Sequence, residues 1–294
     1  MKEKELKQQV TQVYYNLIYL QQAQRILQRT DSIFITFMLN AELRFNTGAT
    51  NILEKTTAET QRGQINLQLK ELQYDYSILQ LQFKLLLNTK TDFLPTPNTL
   101  KLPLPTVTNG ANISQLPYLQ KLRQQEQIGL AKYKVEKSKL LPDLFASYNN
   151  MTIKGFGADE QFYSGSTRFQ SVQVGVGIPL FFGSRKSTIR ASKINWALSQ
   201  NNYALALQTT SSEYEQAAEQ YNKILEAVNY YENSANKNAE TILSTANLQF
   251  QNGDINYLEW VLLTNNAISI QSQYIEAVKN LNHSIIQLNS FTSN

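Results

Sequence analysis

Residues 41–54 read AELRFNTGATNILE, and residues 246–259 read ANLQFQNGDINYLE. At a constant offset of 205 residues, seven of the fourteen positions are identical. The shared positions include a central glycine, Gly48 in the first copy and Gly253 in the second. Glycine adopts positive φ without steric cost and commonly ends a helix. The sequence therefore contains an internal repeat, and each copy is predicted to end one helix and begin another.

Both copies lie between long helical patterns. Apolar residues recur every seven positions before each copy, as they do in a coiled coil. The two stripes are Leu6, Val13, Leu20, Leu27, Phe34 and Ala41, and Leu207, Tyr214, Tyr221, Val228, Ala235 and Ile242. Asn51 and Asn256, three residues after the glycines, are predicted N-caps of the returning helices. Each copy is thus predicted to be the tip of an antiparallel helical hairpin.

The length of the helices indicates an elongated structure. Between Gly183 and Phe250 there is neither proline nor glycine. At 1.5 Å per residue, one helix over this stretch would extend roughly 100 Å, whereas a small domain is about 30 Å across. Five helices are predicted, at about 3–46, 50–89, 116–140, 184–251 and 255–290. They are expected to form an elongated bundle or tube.

A β-hairpin is predicted between the third and fourth of these helices. From Val172 to Ile178, apolar residues alternate with glutamine or glycine, which is typical of a strand with one apolar face. Its predicted partner is Leu144–Ile153, joined to it by a polar loop at about 154–168. Strands of about ten residues suit a tilted transmembrane strand. The alternative is a hairpin that lies on a soluble helical bundle.

Composition narrows the function classes. The chain has 294 residues, a net charge of +4, no cysteine and a single histidine, His283. Disulfides and thiolate metal sites are therefore excluded, and one histidine does not make a metal site. The scattered Lys and Arg residues form no basic stripe, so no nucleic-acid partner is predicted. No apolar run suits a transmembrane helix, and no positioned nucleophile or acid–base pair is evident, so neither enzyme activity nor a cofactor is predicted.

The order of these features resembles that of the TolC family of outer-membrane efflux proteins. The resemblance rests on the tip pattern Phe-x-x-Gly-x-x-Asn-x-Leu-Glu, on Leu140-Leu141-Pro142 after the third helix, and on Ile178-Pro179-Leu180-Phe181 at the strand end. It covers essentially the whole chain. The stretches 41–45 and 53–55 are most similar to the heavy-metal efflux branch of Bacteroidetes.

The resemblance implies a mainly α fold with a β-hairpin, in which long antiparallel coiled-coil helices of an α-barrel are combined with strands of a transmembrane β-barrel. It implies that the full-length parent is a homotrimer in the outer membrane and periplasm, in contact with outer-membrane lipid, that serves as a passive export duct for small molecules or metal cations. The expected partners are a periplasmic adaptor protein and an inner-membrane RND-type pump. The alternative is a soluble coiled-coil scaffold protein without a pore, against which the predicted strand pair at 143–182 argues.

Within this framework the chain is expected to divide at its turns and loops. The predicted segments are a first helical hairpin at 1–90, a Pro-rich equatorial loop at 91–117, a short helix at 118–141, an outer-membrane β-hairpin at 142–182 and a second helical hairpin at 183–294. The repeat offset places the counterpart of Ser184 about 21 residues before Met1. Relative to the family, the first helix is therefore expected to be truncated at its start.

The tips hold the candidate site residues. Glu259 matches a family carboxylate that narrows the periplasmic entrance and favours cations, and Glu54 is its counterpart in the first repeat. Both are expected within the second turn of the returning helices, where the alternative role is to complement a helix dipole. The candidates for docking an adaptor, or alternatively for forming solvated turns, are Arg44, Phe45, Gly48, Asn51, Phe250, Gly253, Asp254 and Asn256.

Overall fold

The computed structural model of the chain describes residues 2–96, 99–103, 113–178 and 183–291. Its α-helices are α1 (Lys2–Asn46), α2 (Ile52–Leu87), α3 (Pro117–Ser138), α4 (Gly183–Tyr230), α5 (Asn236–Asn252) and α6 (Tyr257–Ser290). A 3-10 turn at Ile113–Gln115 precedes α3, and a π-helical turn at Tyr231–Ala235 joins α4 to α5. The strands are β1 (Asp143–Met151), β2 (Gly155–Phe156), β3 (Phe162–Tyr163) and β4 (Phe169–Gly177). The chain divides into two units, Met1–Pro117 with Thr209–Asn294, and Tyr118–Gln208.

The first unit is built from two helical hairpins. Helix α1 packs against α2, α5 packs against α6, and α1 also packs against α6. The stripe predicted on α1 is buried at Val13, Leu20, Phe34 and Ala41 and half-buried at Leu27, whereas Leu6 is exposed. The coiled-coil prediction for this helix is therefore confirmed from Val13 onward. Helices α2 and α6 begin two residues later than predicted, because the residues before them are the N-caps.

The long helix predicted at 184–251 is interrupted by the π turn. There the backbone N–H of Asn236 donates to the carbonyl of Tyr231, five residues back. A π turn holds one more residue than the corresponding turn of an α-helix, so every later side chain is displaced around the axis. Beyond this turn Leu243 is the fully buried residue, and the predicted stripe residue Ile242 is half-buried and packs against the same cluster.

Residues 99–103, called the strap below, are held on α6 by one buried amide side chain. Asn282 is 2% exposed. Its Oδ1 accepts the N–H of Leu102 at 2.8 Å, and its Nδ2 donates to the carbonyl of Leu100 at 2.9 Å. The amide thus satisfies one donor and one acceptor of an irregular backbone segment that has no ladder partner.

The second unit carries the β-hairpin. Strands β1 and β4 pair antiparallel, from Asp143 opposite Gly177 to Met151 opposite Phe169. This confirms the predicted partner of the glycine-alternating strand. Opposite residues in such a ladder share a face. One face is apolar and consists of Leu144, Ala146, Tyr148, Val172, Val174 and Val176. Leu144 and Val174 on it are 81% and 80% exposed.

The loop between β1 and β4 contains more structure than predicted. Strands β2 and β3 form a second, two-residue ladder, so the prediction of a single strand pair is wrong. The rings of Phe156 and Phe162 meet edge to face across it, with centroids 5.4 Å apart. A ladder this short shows no alternation in the sequence. The predicted strand end at 179–182, and Pro97 and Pro105 of the predicted loop, lie outside the described residues.

Candidate functional site

The two tips end their first helix in the same way. Gly48 and Gly253 have φ of 73° and 82°, a backbone conformation that favours glycine. The N–H of each glycine donates to the carbonyl three residues back, at 3.0 Å in the first tip and 3.2 Å in the second. The next N–H, of Ala49 or Asp254, donates five residues back at 2.8 Å in both tips. This pair of bonds is the Schellman motif, so the repeat in the sequence is a repeat of helix termination.

The tips also begin their second helix in the same way. The Asn51 side chain accepts the N–H groups of Leu53 and Glu54. In the second tip, Asn256 accepts the N–H groups of the two corresponding residues. Both N-cap predictions are confirmed. The two candidate gate glutamates are the third residues of their helices and lie in the first turn, not in the second as predicted.

Glu54 is buried and paired. It is 2% exposed, and its Oε1 lies 3.0 Å from Nη1 of Arg44 on the preceding helix. The Thr50 hydroxyl donates to the other carboxylate oxygen. A buried carboxylate needs such partners, because an unpaired charge away from water is strongly unfavourable. Arg44 and Glu54, predicted for separate roles in docking and gating, therefore act together as a brace within the first tip.

Glu259 has a different environment although it occupies the same repeat position. It is exposed, and its Oε2 accepts the backbone N–H of Asn256 at 3.0 Å, which completes a capping box. The counterparts of Arg44 and Thr50 are Gln249 and Ile255, which supply neither a positive charge nor a hydroxyl. The second tip therefore displays its carboxylate to solvent where the first tip buries it.

An aromatic cluster joins the two hairpins beneath the tips. The Trp260 ring lies 4.6 Å from that of Phe37 and 5.4 Å from that of Phe250, measured between centroids. The indole N–H of Trp260 donates to Oδ1 of Asn247 at 2.8 Å. Of these residues, sequence reasoning identified only Phe250. The sequence does contain a signal for Trp260. Its repeat counterpart is the charged residue Lys55, so the two tips differ in polarity at this helix position.

A groove of about 820 Å³ opens beside this cluster, between α1 and the end of α5. Arg44, Phe250 and Gly253 from the candidate docking set line it. Of the remaining candidates, Asp254 is exposed, and the half-buried Phe45 ring lies 5.4 Å from the Lys55 ammonium. The structure thus places the two predicted tips side by side and gives them one shared groove.

The described residues hold no group of three or more His, Cys, Asp or Glu side chains that suits a metal ion. His283 contacts Oδ1 of Asn16 through Nε2 at 2.7 Å. Burial, and to a lesser degree the charge of Lys279, lower the pKa of His283. None of the helices within residues 2–96, 99–103, 113–178 and 183–291 has an apolar stretch long enough to cross a membrane.

Comparison with known families and solved structures finds proteins that are similar to this chain. Residues 112–293, more than half of the chain, match the family model described as outer membrane efflux protein. No curated protein sequence matches the chain.

Several solved structures share the fold. A membrane protein from Pseudomonas aeruginosa superposes with a TM-score of 0.83 at 14% identity, covering 98% of this chain and 68% of its own. The outer-membrane channel OprN superposes with a TM-score of 0.83 at 16% identity, covering 98% of this chain and 66% of its own. Crystal structures of CusC concern the conformational changes that accompany its folding and transmembrane channel formation. CusC superposes with a TM-score of 0.83 at 16% identity, covering 99% of this chain and 69% of its own. The chain thus spans about two thirds of the length of these structures.

Proposed function

Because the chain belongs to the outer membrane efflux protein family, we propose that it forms part of a passive, trimeric export duct in a tripartite efflux system. The β-hairpin contributes to a barrel in the outer membrane, and the helical hairpins form the wall of a periplasmic tube. The cargo is small molecules or metal cations. The metal assignment rests on the similarity of residues 41–45 and 53–55 to the heavy-metal efflux branch.

The observation that carries this proposal is the exposed apolar face of β1 and β4. Side chains such as Leu144 and Val174 are about four-fifths exposed, at 81% and 80%, on strands of nine residues. Water does not favour a continuous apolar face of this kind, whereas lipid does. Two strands leave open edges that hydrocarbon cannot satisfy, so hairpins from further chain segments or copies must complete the barrel.

We propose the second tip as the charged entrance of the duct. Its support is that Glu259 is exposed, whereas its counterpart Glu54 is buried against Arg44. In a trimer, three copies of Glu259 would surround the threefold axis. At about 6–8 Å and an effective dielectric of about 20–80, each carboxylate attracts a monovalent cation by roughly 0.5–3 kcal/mol. That attraction favours cations severalfold and weakens with added salt.

The groove beside the tips is the proposed docking surface for a periplasmic adaptor, through which an inner-membrane RND-type pump delivers cargo. Arg44, Phe250 and Gly253 line it, and Asp254 lies exposed next to it. Exposed polar and aromatic groups around a concave surface are typical of protein interfaces. The coiled-coil scaffold without a pore has no comparable support, because it leaves the apolar hairpin face unexplained.

The experiment that tests the proposal separates cell fractions and then records conductance. The protein is extracted from the membranes of cells that produce it and added to a planar bilayer. An export duct is found in the outer-membrane fraction and produces discrete conductance steps. A scaffold is found in the soluble fraction and leaves the bilayer silent, and that result would overturn the proposal.

A further inference from the structure

The strap is tied to the π turn as well as to α6. Nζ of Lys101, in the strap, lies 2.8 Å from both carboxylate oxygens of Glu232, the second residue of the π turn. The Tyr274 hydroxyl, on α6, donates to the same carboxylate at 2.9 Å. The preceding residue, Tyr231, donates from its hydroxyl to Oε1 of Gln273 at 3.1 Å. Both leading residues of the π turn are thus bound to neighbouring segments.

The buried stripe changes phase at this turn. Before it, Tyr221, Val228 and Ala235 are buried at steps of seven. Continuing the heptad pattern predicts core positions at 238, 242, 245 and 249. The structure instead buries Ala239, Leu243 and Ala246, and packs Phe250 against the core. The fully buried positions beyond the π turn therefore lie one residue later than the heptad pattern places them, while Ile242, at a heptad position, is half-buried and packs against the same cluster as Leu243.

The additional residue of the π turn rotates the helix beyond it. One residue corresponds to a rotation of roughly 100° about the helix axis. Helix α5 therefore presents to the core residues that lie one position later than the heptad pattern places them. π turns are rare and are frequently found at functional sites.

The phase of α5 decides which residues reach the tip. Ala246 packs in the core cluster with Phe37 and Trp260, and Leu243 packs with Ala267. Helix α5 then ends at the second tip, with Gly253 as its C-cap. A rotation of α5 by one residue would replace Ala246 by Thr245 and Leu243 by Ile242.

From these contacts we propose that the Lys101–Glu232 ion pair maintains the π turn and thereby sets the rotational register of α5 at the second tip. Lys101 and Glu232 are positioning residues in this scheme, and the strap is the part of the chain through which the register is held. The proposal concerns the helix itself and stands apart from conduction, so failure of the export function would leave it intact.

The test uses the absence of cysteine from the 294-residue chain, which lets one introduced thiol report on one position. Ala246→Cys probes a position that is 1% exposed, and Thr245→Cys probes its exposed neighbour. Each is combined with Lys101→Met or Glu232→Gln, and labelling by a water-soluble maleimide is timed. We expect labelling to accelerate at 246 and to slow at 245, each by about two- to fivefold, because the ion pair is partly exposed and therefore weak, and access to a buried thiol requires local opening.

Two controls distinguish a change of register from general loosening. Lys84→Met removes another ion pair of the same unit, with Asp92, away from the π turn, and should change neither rate. Exchanging the charges, by Lys101→Glu with Glu232→Lys, should restore both rates. Faster labelling at 246 without slower labelling at 245 would indicate loosening and overturn the proposal, and so would two unchanged rates.

Discussion

Arg44 and Glu54 form an ion pair within the first tip, with 3.0 Å between Nη1 and Oε1 and the glutamate 2% exposed. The second tip has Gln249 and Glu259 at these positions, and Glu259 is exposed. The two copies of the sequence motif therefore have the same backbone conformation, but only the second exposes its carboxylate to solvent. This difference makes each glutamate the natural control for the other.

Removing the arginine should destabilise the helical unit. Arg44→Gln leaves the buried Glu54 carboxylate without its charged partner, and we expect the free energy of unfolding to fall by about 1–3 kcal/mol. Glu259→Gln keeps a side chain that can complete the capping box, so its effect should be about 0.5 kcal/mol or less. Urea unfolding followed by circular dichroism measures both. Equal values for the two variants would show that the buried pair contributes no stability.

Two glycines of the first hairpin should respond oppositely to alanine. Gly63 lies within α2, and a Cβ there would meet no atom within 4 Å. Gly63→Ala should raise the free energy of unfolding by about 0.5–1 kcal/mol, because alanine is the better helix former. Gly48 has φ of +73°, so Gly48→Ala should lower that free energy by about 1–2 kcal/mol. Chemical unfolding of the two variants side by side decides the matter, and a stabilising Gly48→Ala would refute the assigned turn.

The contact between the π turn and α6 predicts that the stability of the protein falls at alkaline pH. Burial first, and then the hydrogen bond to Glu232, raise the pKa of Tyr274 from 10.0 to about 12. A raised pKa in the folded state means that the stabilising contribution is complete below pH 10 and is lost as the pH rises towards about 12. Wild type should therefore lose more stability over this range than Tyr274→Phe does. The exposed Tyr230 provides the control, since Tyr230→Phe should retain the wild-type pH dependence.

The hairpin faces should differ in their tolerance of charge. Val174 lies on the apolar face and is 80% exposed, whereas the neighbouring Gln173 points to the opposite face. In water Val174→Lys would be harmless, but in lipid a lysine costs about 2–4 kcal/mol near the midplane. We expect Val174→Lys to reduce the amount of protein in the outer-membrane fraction and Gln173→Lys to leave it unchanged. Equal recovery of the two variants would contradict lipid contact at this face.

The sequence predicted the features that depend on local chemistry. Gly48 and Asn51 are recognisable because a positive φ and an N-cap each select few residue types. The π turn was missed because the heptad pattern extends smoothly from Ala235 to Ile242, and the contacts of Glu232 with Lys101 and Tyr274 come from segments distant in the sequence. The burial of Glu54 was missed for a similar reason. Its partner is ten residues away across a turn, and only the folded tip brings the two together.

Ion selectivity is the property that most directly tests the proposed export duct. The protein is reconstituted in a planar bilayer, and the reversal potential is measured across a salt gradient at low ionic strength, where screening is weakest. A duct with a ring of carboxylates at its entrance should give discrete conductance steps with a cation-selective potential. Glu259→Gln should shift this potential towards zero without loss of assembly, and Glu54→Gln should shift it less, because Glu54 is buried against Arg44. A bilayer that stays silent would contradict the export duct, and an unchanged potential for Glu259→Gln would limit that residue to capping its own helix.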